Sequence, residues 1–285
     1  MVGMSETSMS PLSSSDVADP QSGQDARGIP LQQVGIGRVR YPILISGWEN
    51  DAKRQREVDG LFDLTVSLAA AKRGIHMSRL IESLHQWEGA LAPATLQNFL
   101  TDLREQQGAE STEMSCQFTW FVERPAPETG KPALQGIETT WHASQNSKEG
   151  QSGYTLAIPV TTLCPCSQAI SDYGAHSQRG WIRVRLDWDN DSDIVAPAEV
   201  FEALQHAGSA PIYPLLKRPD ERHVTMKAFE QPAFVEDTAR QAAILLREKL
   251  RVTRFRIDVR NEESIHTHDA IAVITSGDSS THSAS

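Results

Sequence analysis

The sequence is poor in cysteine. It has three, at Cys116, Cys164 and Cys166, in 285 residues. An odd, small number in a chain this long excludes a disulfide framework and points to a reducing setting, the cytoplasm. No apolar run approaches the ~20 residues that a membrane helix needs, so no membrane partner is expected. No charged leader followed by an apolar stretch opens the chain, so no secretory signal is expected either. Positive charge is also scarce: 27 basic residues face 37 acidic ones, a net charge of −10. That balance argues against nucleic acid or an anionic membrane surface as a partner, but leaves room for a small phosphorylated substrate in a local basic pocket. Neither common Gly-rich phosphate loop is present. What remains is 39% hydrophobic and 22% charged, the composition of a globular chain long enough for one large or two ordinary domains.

Residues 1–29, rich in Ser, Gly, Asp, Gln and Pro, and residues 276–285, rich in Ser, Thr and His, read as disordered tails. Between them, strand patterns are expected over 31–45, 61–71, 115–123 and 137–143, with helical patterns over 77–87 and 94–106. The second half repeats the order. Strands are expected over 154–162, 180–188, 254–260 and 270–275, with helices over 197–205 and 233–250. The pair Tyr41-Pro42 marks an edge strand or bulge, since proline cannot donate to a ladder. Two β-β-α-α-β-β halves, 30–150 and 151–275, predict an α+β fold of antiparallel sheets with helices on one face.

Chemistry concentrates in few places. Cys164, Cys166 and, twelve residues after Cys164, His176 offer the thiolate and imidazole donors that a metal such as zinc prefers. No second short-spaced Cys or His pair completes a structural zinc site, so an open, catalytic position is the better reading, against two small thiols in a turn. In Asn261-Glu-Glu-Ser-Ile-His-Thr-His-Asp269, an extended backbone would place His266 and His268 on one face, as ligands or proton shuttles. The alternative is a solvent-facing hairpin. Leu215-Leu-Lys-Arg-Pro-Asp-Glu221 sets Lys217 and Arg218 beside Asp220 and Glu221 in what reads as a Pro-containing loop, where solvated surface is the plainer account. Glu236 opens the last long helix, where dipole complementarity alone would explain it. Gly74-Ile-His-Met-Ser-Arg79 opens the first helix, where Ser78 or His76 would simply cap it, while Arg79 offers a cation for an anion.

Taken together, several segments resemble the type IB GTP cyclohydrolase family: Tyr41-Pro-Ile43, Gly74-Ile-His-Met-Ser-Arg79, Leu163-Cys-Pro-Cys-Ser167 with Tyr173-Gly-Ala-His176, Lys217-Arg-Pro-Asp-Glu221, Phe234-Val-Glu-Asp237 and the late His-Thr-His. They run in family order over about residues 30–275. The resemblance implies tandem tunnelling-fold (T-fold) modules, each a four-stranded antiparallel sheet with two helices on one face. It also implies assembly into barrels and a homotetramer with active sites at subunit interfaces. The implied reaction turns GTP and water into 7,8-dihydroneopterin 3′-triphosphate and formate, the first step of folate and pterin synthesis. By the same resemblance, Cys164, His176 and Glu221 hold a divalent metal (Zn, Mn or Fe), with water in the last position and no organic cofactor. Glu236 anchors the guanine, His266 and His268 transfer protons, and Lys217, Arg218, Arg79 and Arg179 are candidates for the triphosphate. Cys166 is then a structural neighbour. Two departures stand out: Met226 where an acidic residue is expected, and Ile75 in place of threonine. Two rivals remain at this level. One is a T-fold nitrile reductase using the cysteine as nucleophile; the other is a non-catalytic zinc-dependent interaction module.

Overall fold

Period-two burial builds this molecule, because alternate side chains of a strand leave on opposite faces. The computed structural model describes residues 19–49, 54–92, 95–189 and 194–276. The first half runs β1 (Leu31–Ile45), β2 (Arg56–Leu68), α1 (Met77–Gln86), α2 (Leu96–Gln107), β3 (Ser111–Pro125) and β4 (Pro132–Asn146). The second runs β5 (Gly150–Leu163), α3 (Pro165–Ile170), β6 (Ser177–Trp188), α4 (Pro197–Leu204), β7 (Ala210–Pro211), α5 (Arg218–Glu230), α6 (Val235–Ile244), β8 (Phe255–Asn261) and β9 (Ala270–Ser276).

The strands form one antiparallel sheet in the order β1-β2-β3-β4-β5-β6-β8-β9, with short β7 beside β5. β4 pairs with β5 from Glu138↔Ala157 to Gln145↔Gly150, so the two halves share a continuous sheet. β1 is an edge strand, in line with the Tyr41-Pro42 signal, while its register shifts lie elsewhere, between Leu31 and Val34 and between Ile36 and Val39. Phe62, Leu64 and Val66 of β2 and Trp141 of β4 are buried on the helix side with Leu96, Phe99, Leu100 and Leu103 of α2. Each such side chain contributes about 1.5–3 kcal/mol on leaving water. The second half repeats the scheme with Leu156, Ile182, Val184, Ile257 and Val259 beside Val235, Ala239 and Ala242 of α6.

Four expectations are corrected. The last helix, expected over 233–250, is α-helical only as far as Ile244 and ends in a π-turn, Leu245–Lys249. The 217–221 segment is not a loop, because Arg218 begins α5. The turn around Pro165 is the start of α3, so the second half carries four helices rather than two. His266 and His268 do not sit on a strand; they lie in the loop between β8 and β9. Of the expected tails, residues 1–18 and 277–285 fall outside the described residues, whereas Pro20–Ser22 forms a 3-10 turn and Gln24 bridges to Lys72.

The helix-free face carries a transverse polar row: Asp63, Ser115, His142, Gly153 and Asp187 are successive cross-strand partners from β2 to β6. Gly153 has no side chain, and His142 Nε2 meets Asp187 Oδ1 at 2.7 Å across it. Arg185 donates to both oxygens of Asp187 at 3.1–3.2 Å.

Candidate metal centre

The ladder between β5 and β6 explains the twelve-residue spacing. Its last pair is Leu163↔Ser177, so Cys164 and His176 leave the sheet as neighbours. The Cys164 N–H donates to the His176 carbonyl at 3.1 Å. Between them the chain makes α3 and then turns back through Gly174, whose φ of 62° suits a residue without Cβ. Cys164 caps α3, its Sγ accepting from the Ser167 N–H at 3.5 Å. The Ser167 hydroxyl in turn accepts from the His176 N–H at 3.3 Å.

His176 is 11% exposed in its side chain, and its Nδ1 lies 2.8 Å from Gln178 Oε1. The Gln178 amide nitrogen donates to Thr162 Oγ1 at 3.1 Å. Glu263, 13% exposed, brings Oε2 to 3.8 Å from the same Nδ1. It is set there by the β6–β8 pairing, which ends at Gly180↔Asn261 and continues as a Glu262 N–H to Arg179 carbonyl bond of 2.9 Å. Among the described residues no protein group bonds His176 Nε2. One soft sulfur and one imidazole with an engaged far nitrogen are the donor types of a zinc-like site, so this pair fits a divalent metal.

The remaining candidates lie further out. Glu221 is exposed in the first turn of α5, and no three His, Cys, Asp or Glu side chains among the described residues form a metal-holding group. The structure therefore brings Cys164 and His176 together and leaves Glu221 apart from them. Lys217 and Arg218 are exposed at the start of α5, Arg79 at the start of α1, and Glu236 in the first turn of α6. His266 and His268 are exposed with stacked rings, their centroids 5.1 Å apart. Cys166 is exposed on α3. Met226 is exposed on α5, while Ile75 is buried in the core, where an apolar side chain replaces a hydroxyl without loss.

The sequence profile described as Type I GTP cyclohydrolase folE2 matches residues 17–272. Among curated relatives, the GTP cyclohydrolase FolE2 of Thermosipho africanus is 34% identical over 258 residues, covering 90% of this chain and 97% of that protein. The FolE2 of Bordetella petrii is 37% identical over 257 residues, 90% and 95% of the two chains. This chain belongs to the GTP cyclohydrolase FolE2 family. The FolE2 of Kosmotoga olearia agrees, with 36% identity over 261 residues, 92% and 99% covered. In fold, this chain is similar to the uricase of Arthrobacter globiformis, with a TM-score of 0.51 over 92% of this chain and 96% of that one. At 10% identity that likeness concerns the fold alone, and it agrees with the expected T-fold.

Two residues of the centre were not foreseen. Gln178 had no motif to mark it. Glu263 lies inside the Asn261–Asp269 segment, but its neighbour in space, His176, is 87 positions away and no spacing rule links them.

Proposed function

We propose that this chain is a GTP cyclohydrolase of the type IB kind, releasing formate from GTP and water and forming 7,8-dihydroneopterin 3′-triphosphate. The observation that carries the reading is the Cys164–His176 pair, joined backbone to backbone in a chain of the FolE2 family. A divalent metal there (Zn, Mn or Fe) would supply the Lewis acidity that makes water a nucleophile near neutral pH, as attack on purine C8 requires.

The chain's own residues divide the remaining work. Cys164 Sγ and His176 Nε2 would be two of the donors, and Glu221, exposed in the first turn of α5 and apart from that pair here, would be the third ligand. Glu236 accepts hydrogen bonds from the N–H edge of guanine, next to the positive end of α6. His266 and His268, stacked side by side, take a proton from the attacking water and return one to the nitrogen that C8 leaves. Lys217, Arg218 and Arg79 are the cations for the triphosphate. No organic cofactor enters.

Large apolar side chains stand in water around this centre: Ile170 is 85%, Tyr173 93% and Ile265 65% exposed. Exposed hydrophobics of this size concentrated at a site mark a contact surface. They support a homotetramer of barrels in which a second subunit closes the active site, each chain contributing tandem modules 30–150 and 151–275. Free thiols of this kind suit a cytoplasmic setting. No helix among the described residues is long and apolar enough to cross a membrane.

The test is formate release from GTP by the purified protein, with and without chelator. Release that stops with chelator and returns with one of the three metals supports the reading; release unaffected by complete metal removal would overturn it.

A further inference from the structure

Gln178 is a polar side chain at the centre to which the proposed chemistry assigns nothing, and it bonds the His176 ring directly. It stands two positions after His176 and directly opposite Thr162 in the β5–β6 ladder. Thr162 is fully buried, so its hydroxyl is a fixed anchor. With the Gln178 NH2 donating to Thr162 Oγ1 at 3.1 Å, the amide carbonyl is the group that faces His176 Nδ1 at 2.8 Å. A carbonyl oxygen accepts and does not donate, so the proton of the imidazole belongs on Nδ1. The Glu263 carboxylate, 3.8 Å from the same nitrogen, is a second acceptor and favours the same arrangement. Nε2 is thereby left with its lone pair and with no protein partner among the described residues.

We infer that Gln178 is a positioning residue: the Thr162–Gln178–His176 relay fixes the Nδ1–H tautomer and the ring plane of His176 and so presents Nε2 as a metal donor. The inference rests on the reading of His176 as a ligand. Hydrogen-bonded partners behind a ligating imidazole are worth about 10–100-fold in metal affinity, because they hold the tautomer before the metal arrives.

The experiment compares wild type with Gln178→Met, which keeps the length and removes both bonds, and with Gln178→Glu, which keeps an acceptor toward His176. Thr162→Val is a further variant that leaves Gln178 in place but frees its amide. Two readouts are taken on the full chain. One is the tautomer of His176 in metal-free protein, from long-range nitrogen–proton NMR correlations of 15N-histidine-labelled protein, assigned by His176→Ala. The other is zinc affinity by chelator competition. Expected results are an Nδ1–H tautomer in wild type and Gln178→Glu, mixed tautomers in Gln178→Met, and zinc affinity about 10–100-fold weaker in Gln178→Met. Thr162→Val shifts the same way by less.

Wild-type tautomer and affinity in both Gln178→Met and Thr162→Val overturn the inference, and Thr162→Val decides it should Gln178→Met not fold. The two levels separate through His176→Ala. If that variant loses zinc while Gln178→Met keeps it, the metal centre stands and the role of Gln178 falls. If His176→Ala binds zinc as wild type does, the proposed centre falls, and the tautomer readout in metal-free protein still decides what Gln178 does to the ring.

Discussion

Asp220 and Thr129 are bonded to each other across 91 positions of sequence, carboxylate Oδ2 to hydroxyl at 2.8 Å. Asp220 Oδ1 also accepts the N–H groups of Glu128 and Thr129, each at 2.9 Å, and Oδ2 accepts the Lys217 N–H at 2.8 Å. The side chain thus caps α5 and ties its first turn to the tip of the β3–β4 hairpin. Glu221, Lys217 and Arg218 all hang from that turn. Asp220→Asn puts an NH2 where donors already converge, so a lower melting temperature and weaker GTP turnover are expected together. Thr129→Ala, which removes one bond, costs about 1 kcal/mol. Thermal unfolding of the two variants checks the order; an Asp220→Asn protein as stable as Thr129→Ala would count against the cap.

The same carboxylate has a pH signature. Burial opposes its ionisation, but the hydrogen bonds from Thr129, Lys217 and Glu128 outweigh that and hold it well below its ordinary value of 3.8. A group depressed on folding adds stability that is present above its unfolded pKa and is lost as pH falls through the folded one. Acid unfolding of wild type should therefore be steeper below pH 3.8 than that of Asp220→Asn. Parallel acid limbs would remove the assignment.

On the helix-free face, Gly153 is expected to be irreplaceable. A Cβ there would lie 2.2 Å from the Leu186 carbonyl oxygen and 2.6 Å from His142 Nε2. The nearest atom is backbone rather than the end of a flexible side chain, so Gly153→Ala should cost on the order of 1–3 kcal/mol in a denaturant titration. His142 itself is pushed below its usual 6.5 by burial, opposed by the bond to Asp187 and aided by Arg185. Its unfolded form binds the proton first, so stability falls as pH drops below 6.5. His142→Gln should flatten that limb of the pH profile.

Where burial follows a regular period, two in β6 and 3.6 in α2, element type was legible from residue pattern alone. The period broke down at α5. Only Asp220 and Ala228 of its thirteen residues are buried, so no apolar stripe announces a helix. The available signal was the cap, with Pro219 and Asp220 in its first turn. α3 is six residues long, too short for any period. The Cys164–His176 pairing was readable because strand register sets it locally. Gln178 and Glu263 were not, since one acts through Thr162 and the other arrives from β8.

At the centre, Cys164→Ala and His176→Ala should each lose bound metal and GTP turnover while the oligomer persists, by metal analysis and light scattering of the same samples. Glu236→Ala should behave differently. Its carboxylate is exposed beside the N-terminus of α6 and has no part in the Cys164–His176 pairing. Metal content should therefore stay at the wild-type level. A lost pair of bonds to a charged acceptor is worth about 1.5–3 kcal/mol, which lowers kcat/KM by about 10–100-fold, mainly through KM. The guanine is held in the ground state as in the transition state, so kcat changes less than KM. Steady-state kinetics on GTP decide it: an unchanged KM with metal retained would remove Glu236 from the guanine site, and a joint loss of metal would place it at the metal centre instead.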